Sequence, residues 1–333
     1  MKKFTKDVVS VIIPCYNAAD CVGKQLSSIL SQDYPYIEVI AINDGSKDDT
    51  ERVLKSFAKL FEEKGYKFCV ESQQNGGQAT VLNRGLNLIT GEFLVWPDAD
   101  DYYSHNSAFS AMVSVLKSMP NIGLVRTWNR IVNFETDETI GLRGTDKSGL
   151  TVSREIFEDC LFNRNGFYFS PGAYMIRTAD FFNVSRFPIS MLRGAGQNWQ
   201  MFLPILYHFD CYTISEVMYT TVAHSDSHSR MDYGYDGNIR RIDVYEGTIL
   251  ETLDNIIGME DVVCENYKRQ IRAKYASLKF VYAYANMKTA DVVKYYKEFC
   301  DTGLSSRAMA IRVVISKLRL FKVASILARL IRH

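Results

Sequence analysis

Gly91-Glu92-Phe93-Leu94-Val95-Trp96-Pro97-Asp98-Ala99-Asp100-Asp101 is the stretch on which the reading turns. Glu92–Trp96 has the apolar, β-favouring character of a buried strand, and Pro97 stops it. The strand delivers three carboxylates within four residues. Crowded carboxylates repel one another unless a positive charge sits among them. A hard divalent cation, Mg²⁺ or Mn²⁺, relieves that repulsion and also accepts phosphate oxygens. The competing reading is an acidic surface turn with Asp101 or Ser104 capping the next helix, and taken alone that is the commoner case. The buried strand before the turn, and the company the turn keeps, reverse the preference.

Upstream, strand and helix alternate. Val8–Ile13, Ile37–Ile42 and Phe68–Val70 read as strands. Ala18–Leu30, Asp48–Lys64 and Gln78–Ile89 carry helical spacing, the first with Val22, Leu26, Ile29 and Leu30 on one face. This alternation predicts an α/β fold with a mainly parallel sheet flanked by helices. Such sheets bind ligands at the carboxyl ends of their strands. Polar clusters fall there: Tyr16-Asn17, Asn43-Asp44-Gly45-Ser46 and Asp98-Ala99-Asp100-Asp101. Gly45 and Asn75-Gly76-Gly77 also read simply as turns, with Ser46 or Asp48 as a helix cap.

Downstream the pattern loosens. Ile122–Arg126, Ala173–Ile176 and Cys211–Val222 read as strands, Asn198–Tyr207 as a helix, and Glu135–Gly149 as a mobile polar loop. From about Asn238 the chain reads as helical, which predicts a first domain over 1–235 and a helical C-terminal region over 236–333. Ser305–His333 holds seven Arg/Lys and no acid. A solvated basic helix and an interfacial helix on anionic lipid stand level as readings, because the bases scatter around a single helical wheel drawn through the whole segment.

Bulk properties exclude little else. The net charge of +1 over 333 residues gives no electrostatic case for nucleic acid. Met1-Lys2-Lys3 mimics the start of a signal peptide, but the apolar run behind it is short and ends at Pro14, as a buried strand would. No stretch is long and apolar enough to span a bilayer. Seven cysteines without a Cys-x-x-Cys fit a reduced, cytoplasmic chain with neither a disulfide framework nor a zinc site.

Taken together, the motifs resemble family 2 glycosyltransferases, the inverting enzymes of GT-A fold that build bacterial cell-surface polysaccharide. Val9–Asn17 is similar to their opening strand and Ile42–Thr50 to their base-binding turn. Asn75-Gly76-Gly77, Leu82–Leu86, Thr90–Phe93 and Asp98–Asp101 follow in the family's order. The match is close over residues 8–103 and looser over 104–230. The resemblance implies transfer from a nucleoside-diphosphate sugar, most simply UDP-linked, to a glycan or lipid-linked acceptor, with Mn²⁺ or Mg²⁺ as cofactor. Pro14, Tyr16, Asn17, Asp44, Asn83 and Asp98 would hold the donor, with Asp44 reading the base. Asp98 and Asp100 would ligate the metal, and Asp100 would be central to catalysis. Ala223–Arg230 resembles the segment that closes the family's site, so His224 and His228 are further candidate metal ligands. Synthesis on a lipid carrier at the inner membrane face is also implied, and the basic C-terminal segment, beyond the resemblance, leaves peripheral membrane contact open.

The chain departs from the family at two places. Leu82 stands where Arg is frequent. More consequentially, Gln197 and Asn198, before Trp199, occupy the positions expected to carry the catalytic carboxylate, and amides cannot accept a proton at neutral pH. Gln197 and Trp199 are thus acceptor-side candidates, Asn198 marks the catalytic position, and Asp226 is the nearest alternative base. Among other classes, a dinucleotide oxidoreductase would need Gly-x-Gly-x-x-Gly after the first strand, where Pro14–Ala19 stands instead. A nucleotidyltransferase accounts for fewer of the motifs. A non-catalytic nucleotide-sugar or glycan-binding descendant fits the missing carboxylate but not the intact acidic turn.

Overall fold

The computed structural model describes residues 3–190, 196–224 and 233–318. Asp226 and His228, the Arg193–Ala195 part of the segment before Gln197, and residues 319–333 lie outside the described residues.

The chain divides into two compact units, residues 1–231 with 255–258, and residues 232–254 with 259–333. In the first, β1 (Thr5–Cys15), β2 (Ile37–Asn43), β3 (Lys67–Ser72) and β4 (Gly91–Val95) pair in parallel in the order β3-β2-β1-β4. Every residue of β2 is buried, the near-continuous apolar pattern of a parallel strand covered on both faces. The helices α1 (Val22–Leu30), α2 (Thr50–Ser56), α3 (Ala58–Glu63) and α4 (Gln78–Leu88) occupy the intervals. Gly85 lets α4 approach β1 closely, since a Cβ there would stand 2.6 Å from the Ile12 side chain. At the amino-terminal edge of the sheet, buried Glu38 accepts hydrogen bonds from Ser10 Oγ, Thr90 N and Oγ1, and Gly91 N, joining β1, β2 and the start of β4. The carboxyl-terminal edge is therefore the one left for chemistry.

Beyond β4 the sheet becomes mixed. It continues through β5 (Tyr102–Tyr103), β6 (Ile122–Asn133), β7 (Thr139–Arg143), β8 (Gly149–Thr151), β9 (Tyr174–Arg177) and β10 (Asp210–Ala223) in the order β4-β9-β6-β10-β5, with β7 on β6 and β8 on β10. The helices α5 (Ala108–Ser118), α6 (Ser153–Phe162), α7 (Thr178–Val184) and α8 (Gln197–His208) complete the unit. This is the GT-A arrangement, with the parallel half first and a mixed half behind the acidic loop.

Two local expectations need correction. Asp48–Lys64 is two helices broken at Phe57. The stretch 135–149 is not one loop, because β7 forms a hairpin with β6. The turn is closed by Asn133, whose Oδ1 accepts from Glu135 N and Thr136 N, with Asp137 at φ +53°. The strand is short, flanked by polar turn residues, and turns its alternating apolar residues Ile140 and Leu142 outward, so it reads as loop in the sequence.

The second unit is helical: α9 (Gly234–Asn255), α10 (Asp261–Ala285), α11 (Thr289–Asp301) and α12 (Arg307–Lys317). Ile239, Phe280, Ala283, Val292, Tyr295, Met309 and Val313 form its core. Buried Lys279 sits among Asp243 (3.0 Å), Glu246 (3.0 Å) and Glu298 (3.5 Å). The turn after α9 belongs to the first unit. There Arg186 N donates to Asn255 O, Ile257 N donates to Val184 O, and Ile256 bridges to Ser185. Among the described residues no helix is long and apolar enough to cross a membrane.

Candidate active site

Three loops meet at the carboxyl edge of the parallel strands. The first follows β1. Asn17 takes φ +47°, a left-handed conformation asparagine tolerates. Its N–H donates to Ser46 Oγ (2.9 Å), and its Oδ1 accepts from Lys47 N (2.9 Å). Ala18 N and Ala19 N donate to Thr50 Oγ1 and Asp48 Oδ2. Asn17 is thus a stitch between the loops after β1 and β2. Pro14 is half-buried at the end of β1, and the Tyr16 ring is open to solvent.

The second loop holds Asp44, which is only 3% exposed. Its Oδ1 accepts from Gln73 Nε2 (2.8 Å) and Gly76 N (2.9 Å), and its Oδ2 accepts from Gly77 N (2.8 Å). A carboxylate has about four lone-pair positions, so one on Oδ2 stays free to accept a further donor. Gly45, at φ +69°, cannot be replaced easily, because a Cβ there would stand 2.8 Å from Asn75 N. Asp44 therefore folds the Gln73–Gly77 segment around itself.

That segment leads directly to the third loop. Gln78, the first residue of α4, donates through Nε2 to Asp98 Oδ1 (3.0 Å), and its Oε1 accepts from Gln197 Nε2 at the start of α8. Asp44 holds Gly77, and the adjacent Gln78 links Asp98 to Gln197. Asp100 points the other way, with His224 Nε2 at 3.4 Å from its Oδ2 and the His224 ring 4.3 Å from that of Phe134. Asp101 is buried and accepts from Val222 N (2.8 Å) and Thr221 Oγ1 (3.2 Å), so it pins the acidic loop to the end of β10. Burial and the neighbouring Asp100 push the Asp98 carboxyl up to about 7. Burial raises Asp100, and burial with the charges of Asp100 and Asp98 raises Asp101.

This crowding is what a cation would relieve. Among the described residues no three ligating side chains converge. Asp98 and Asp100, with His224 beside them, are the residues that could hold a Mg²⁺ or Mn²⁺, a cation that would leave further positions for phosphate and water oxygens.

The other candidates are placed differently. Asn83 is buried and exchanges a pair of hydrogen bonds with Ile189, Nδ2 to O (2.8 Å) and N to Oδ1 (2.9 Å), so its amide anchors the chain rather than facing the loops. Asn198 Oδ1 accepts from Trp96 Nε1 (3.3 Å), bracing α8 against the residue before Pro97. Trp199 packs inward on Phe169 and donates to Cys160 O (3.1 Å). Gln73 and Gln78 were missed in the sequence. A glutamine immediately after the glycine turn, at the first position of a helix, was the available signal.

The site is thus a GT-A core with crowded carboxylates at its carboxyl edge. The model of Glycosyl transferase family 2 matches residues 10–180, and the chain belongs to that family. It is 37% identical over 114 residues to an uncharacterized glycosyltransferase of Rickettsia typhi, covering 34% of this chain and 33% of that protein. It is 36% identical over 125 residues to the poly-beta-1,6-N-acetyl-D-glucosamine synthase of Staphylococcus epidermidis, covering 38% and 29%. The matched stretch spans about a third or less of the length of these relatives. Among solved structures, S. aureus TarS 1-349 in complex with UDP-GlcNAc superimposes with TM-score 0.62 at 16% identity over 95% of this chain and 88% of that one. The mannosyltransferase PcManGT from Pyrobaculum calidifontis, in complex with GDP-Man and Mn²⁺, does so with TM-score 0.52 at 17% identity over 95% and 87%.

Proposed function

We propose that the chain transfers a sugar, with inversion, from a UDP-linked donor to a glycan or lipid-linked acceptor in bacterial cell-surface polysaccharide synthesis. The observation that carries this reading is that Asp44 accepts from Gly77 N while the next residue, Gln78, donates to Asp98, tying the two acidic loops together at the carboxyl edge of the sheet. Asp44, with one acceptor position free, receives the imide N–H of a uracil. Tyr16 lies open beside it as a stacking surface. Asp98 and Asp100 hold Mn²⁺ or Mg²⁺ with His224 adjacent, and His228 is proposed as a further ligand. The bound metal supplies electrostatic stabilisation of the leaving diphosphate. Displacing the Gln78–Gln197 contact frees Gln197 toward the acceptor.

Proton removal is assigned elsewhere than α8, since Gln197 and Asn198 are amides. Asp226 is the preferred base. The amide pair favours one second reading, a donor-binding descendant that no longer transfers. Incubation with a panel of UDP-, GDP- and dTDP-sugars, with Mn²⁺ or EDTA, separates the two. Metal-dependent release of nucleotide supports catalysis, metal-dependent binding without release supports the descendant, and no binding overturns both.

A further inference from the structure

The second unit carries an apolar ridge outside the site described above. In α12 the buried side is Met309, Val313 and Ser316. Opposite them, at spacings of three and four, Ile311, Val314 and Leu318 stand 60%, 55% and 61% exposed, with Leu304 in line before the helix. Arg312 and Lys317 border this ridge on its two sides and Arg307 sits on it one turn earlier, all three exposed. None of the three makes an ion pair among the described residues, although the Arg312 guanidinium lies 5.6 Å from the Tyr284 ring centre. From Ser305 onward the sequence holds no acid, and after Leu318 it adds Arg319, Lys322, Arg329 and Arg332. A wheel drawn through the whole segment scatters these bases. The described helix stops at Lys317, and over that length both faces of α12 are apolar, with Arg312 and Lys317 between them and Arg307 at the start of the outer one.

We propose that this ridge docks on an anionic lipid surface, with Ile311, Val314 and Leu318 entering the headgroup boundary and Arg307, Arg312 and Lys317 pairing with lipid phosphates. An apolar strip bordered by cations is the chemistry such a surface selects. A second copy fits worse. Two such ridges face to face would oppose six cations with no acid on either helix, and four side chains fall well short of the ~800 Å² per partner of a stable interface.

The test is flotation of the full chain with vesicles of neutral phosphatidylcholine, and with vesicles also containing phosphatidylglycerol. Two variants are compared, Ile311→Ser/Val314→Ser/Leu318→Ser and Arg307→Glu/Arg312→Glu/Lys317→Glu. Their side chains are exposed, so circular dichroism and melting should be unchanged. The parent should float with anionic vesicles only, and each variant should partition roughly tenfold or more weakly. Failure of the parent to float, or undiminished flotation of the serine variant, overturns the proposal. So does self-association at micromolar concentration that the serine variant abolishes, which would assign the ridge to a second copy. Neither outcome depends on nucleotide binding, so the result stands apart from the transferase reading.

Discussion

Replacing Asp44 by Ala should do two things at once, and the geometry separates them. The carboxylate accepts three hydrogen bonds from the Gln73–Gly77 segment. Hydrogen bonds to a carboxylate contribute about 1.5–3 kcal/mol each, and water reaches the partly buried glycine turn, so the three do not sum fully. A local loss of roughly 3–5 kcal/mol follows, which corresponds to amide exchange at Gly76 and Gly77 faster by about 10²-fold or more. This effect needs no ligand. The donor effect is distinct: loss of the base contact costs about 1.5–3 kcal/mol, weakening UDP by one to two orders of magnitude. Asp44→Asn keeps one acceptor oxygen and turns an NH₂ toward one of the donors, so it should fall between the parent and Ala in both measurements. Hydrogen exchange of the ligand-free protein reads the first effect, and calorimetry with UDP reads the second. Unchanged protection of Gly76 and Gly77 in the alanine variant would refute the loop-organising role. Unchanged UDP affinity with faster exchange would leave the loop but remove the base contact.

Asp100→Ala should abolish Mn²⁺-dependent donor binding while leaving the melting temperature near that of the parent, because its half-exposed carboxylate reaches beyond its own loop to His224 at 3.4 Å, a long contact for an ion pair; calorimetry and thermal melts check this together. His224→Ala should weaken Mn²⁺ affinity in the presence of UDP about tenfold or more if the imidazole is a ligand, and equal affinity would return it to a plain neighbour of Asp100. Glu38→Gln should lower stability by roughly 2–4 kcal/mol in urea unfolding, since its amide would place donors against backbone and hydroxyl donors. In metal-free protein the raised Asp98 carboxyl means the folded state binds more protons than the unfolded one between about pH 4 and 7. Stability therefore falls as pH rises through that window and levels off above it. Asp98→Asn should flatten this slope, and thermal midpoints at pH 5 and 8 measure it.

The parallel half was legible because its residues obey strong local rules. Val9–Ile13 and Ile37–Ile42 are unbroken apolar runs, and α4 follows a glycine turn. The mixed half hides for physical reasons. β7 is an edge strand whose apolar residues Ile140 and Leu142 face solvent, β5 is two residues long, and α7 spans only seven residues, whereas α6 did carry Ile156, Phe157, Cys160 and Leu161 at helical spacing. At the site, the acidic turn announced itself by charge, but its division of labour did not. Asp101 looks like its neighbours in sequence, and only the partners Val222 N and Thr221 Oγ1 mark it as structural. Asn83 likewise carries a motif signature, yet it turns to Ile189. Gln78 and Gln197 are 119 residues apart, and no local pattern could have joined them.

The return of residues 255–258 to the first unit bears on how the protein can be dissected. The backbone passes from one unit to the other three times, so the helical unit is not a tail that a single cut removes. A fragment ending at 231 would strip Ile256, which is buried, and leave Val184 O and Arg186 N without their backbone partners. Such a fragment should precipitate or melt early even though its sheet is intact. A single nick near 232 should instead leave two pieces that stay associated, because the second piece still carries the 255–258 turn of the first unit. A shortened catalytic unit would have to carry that turn, grafted behind residue 231 by a linker in place of α9.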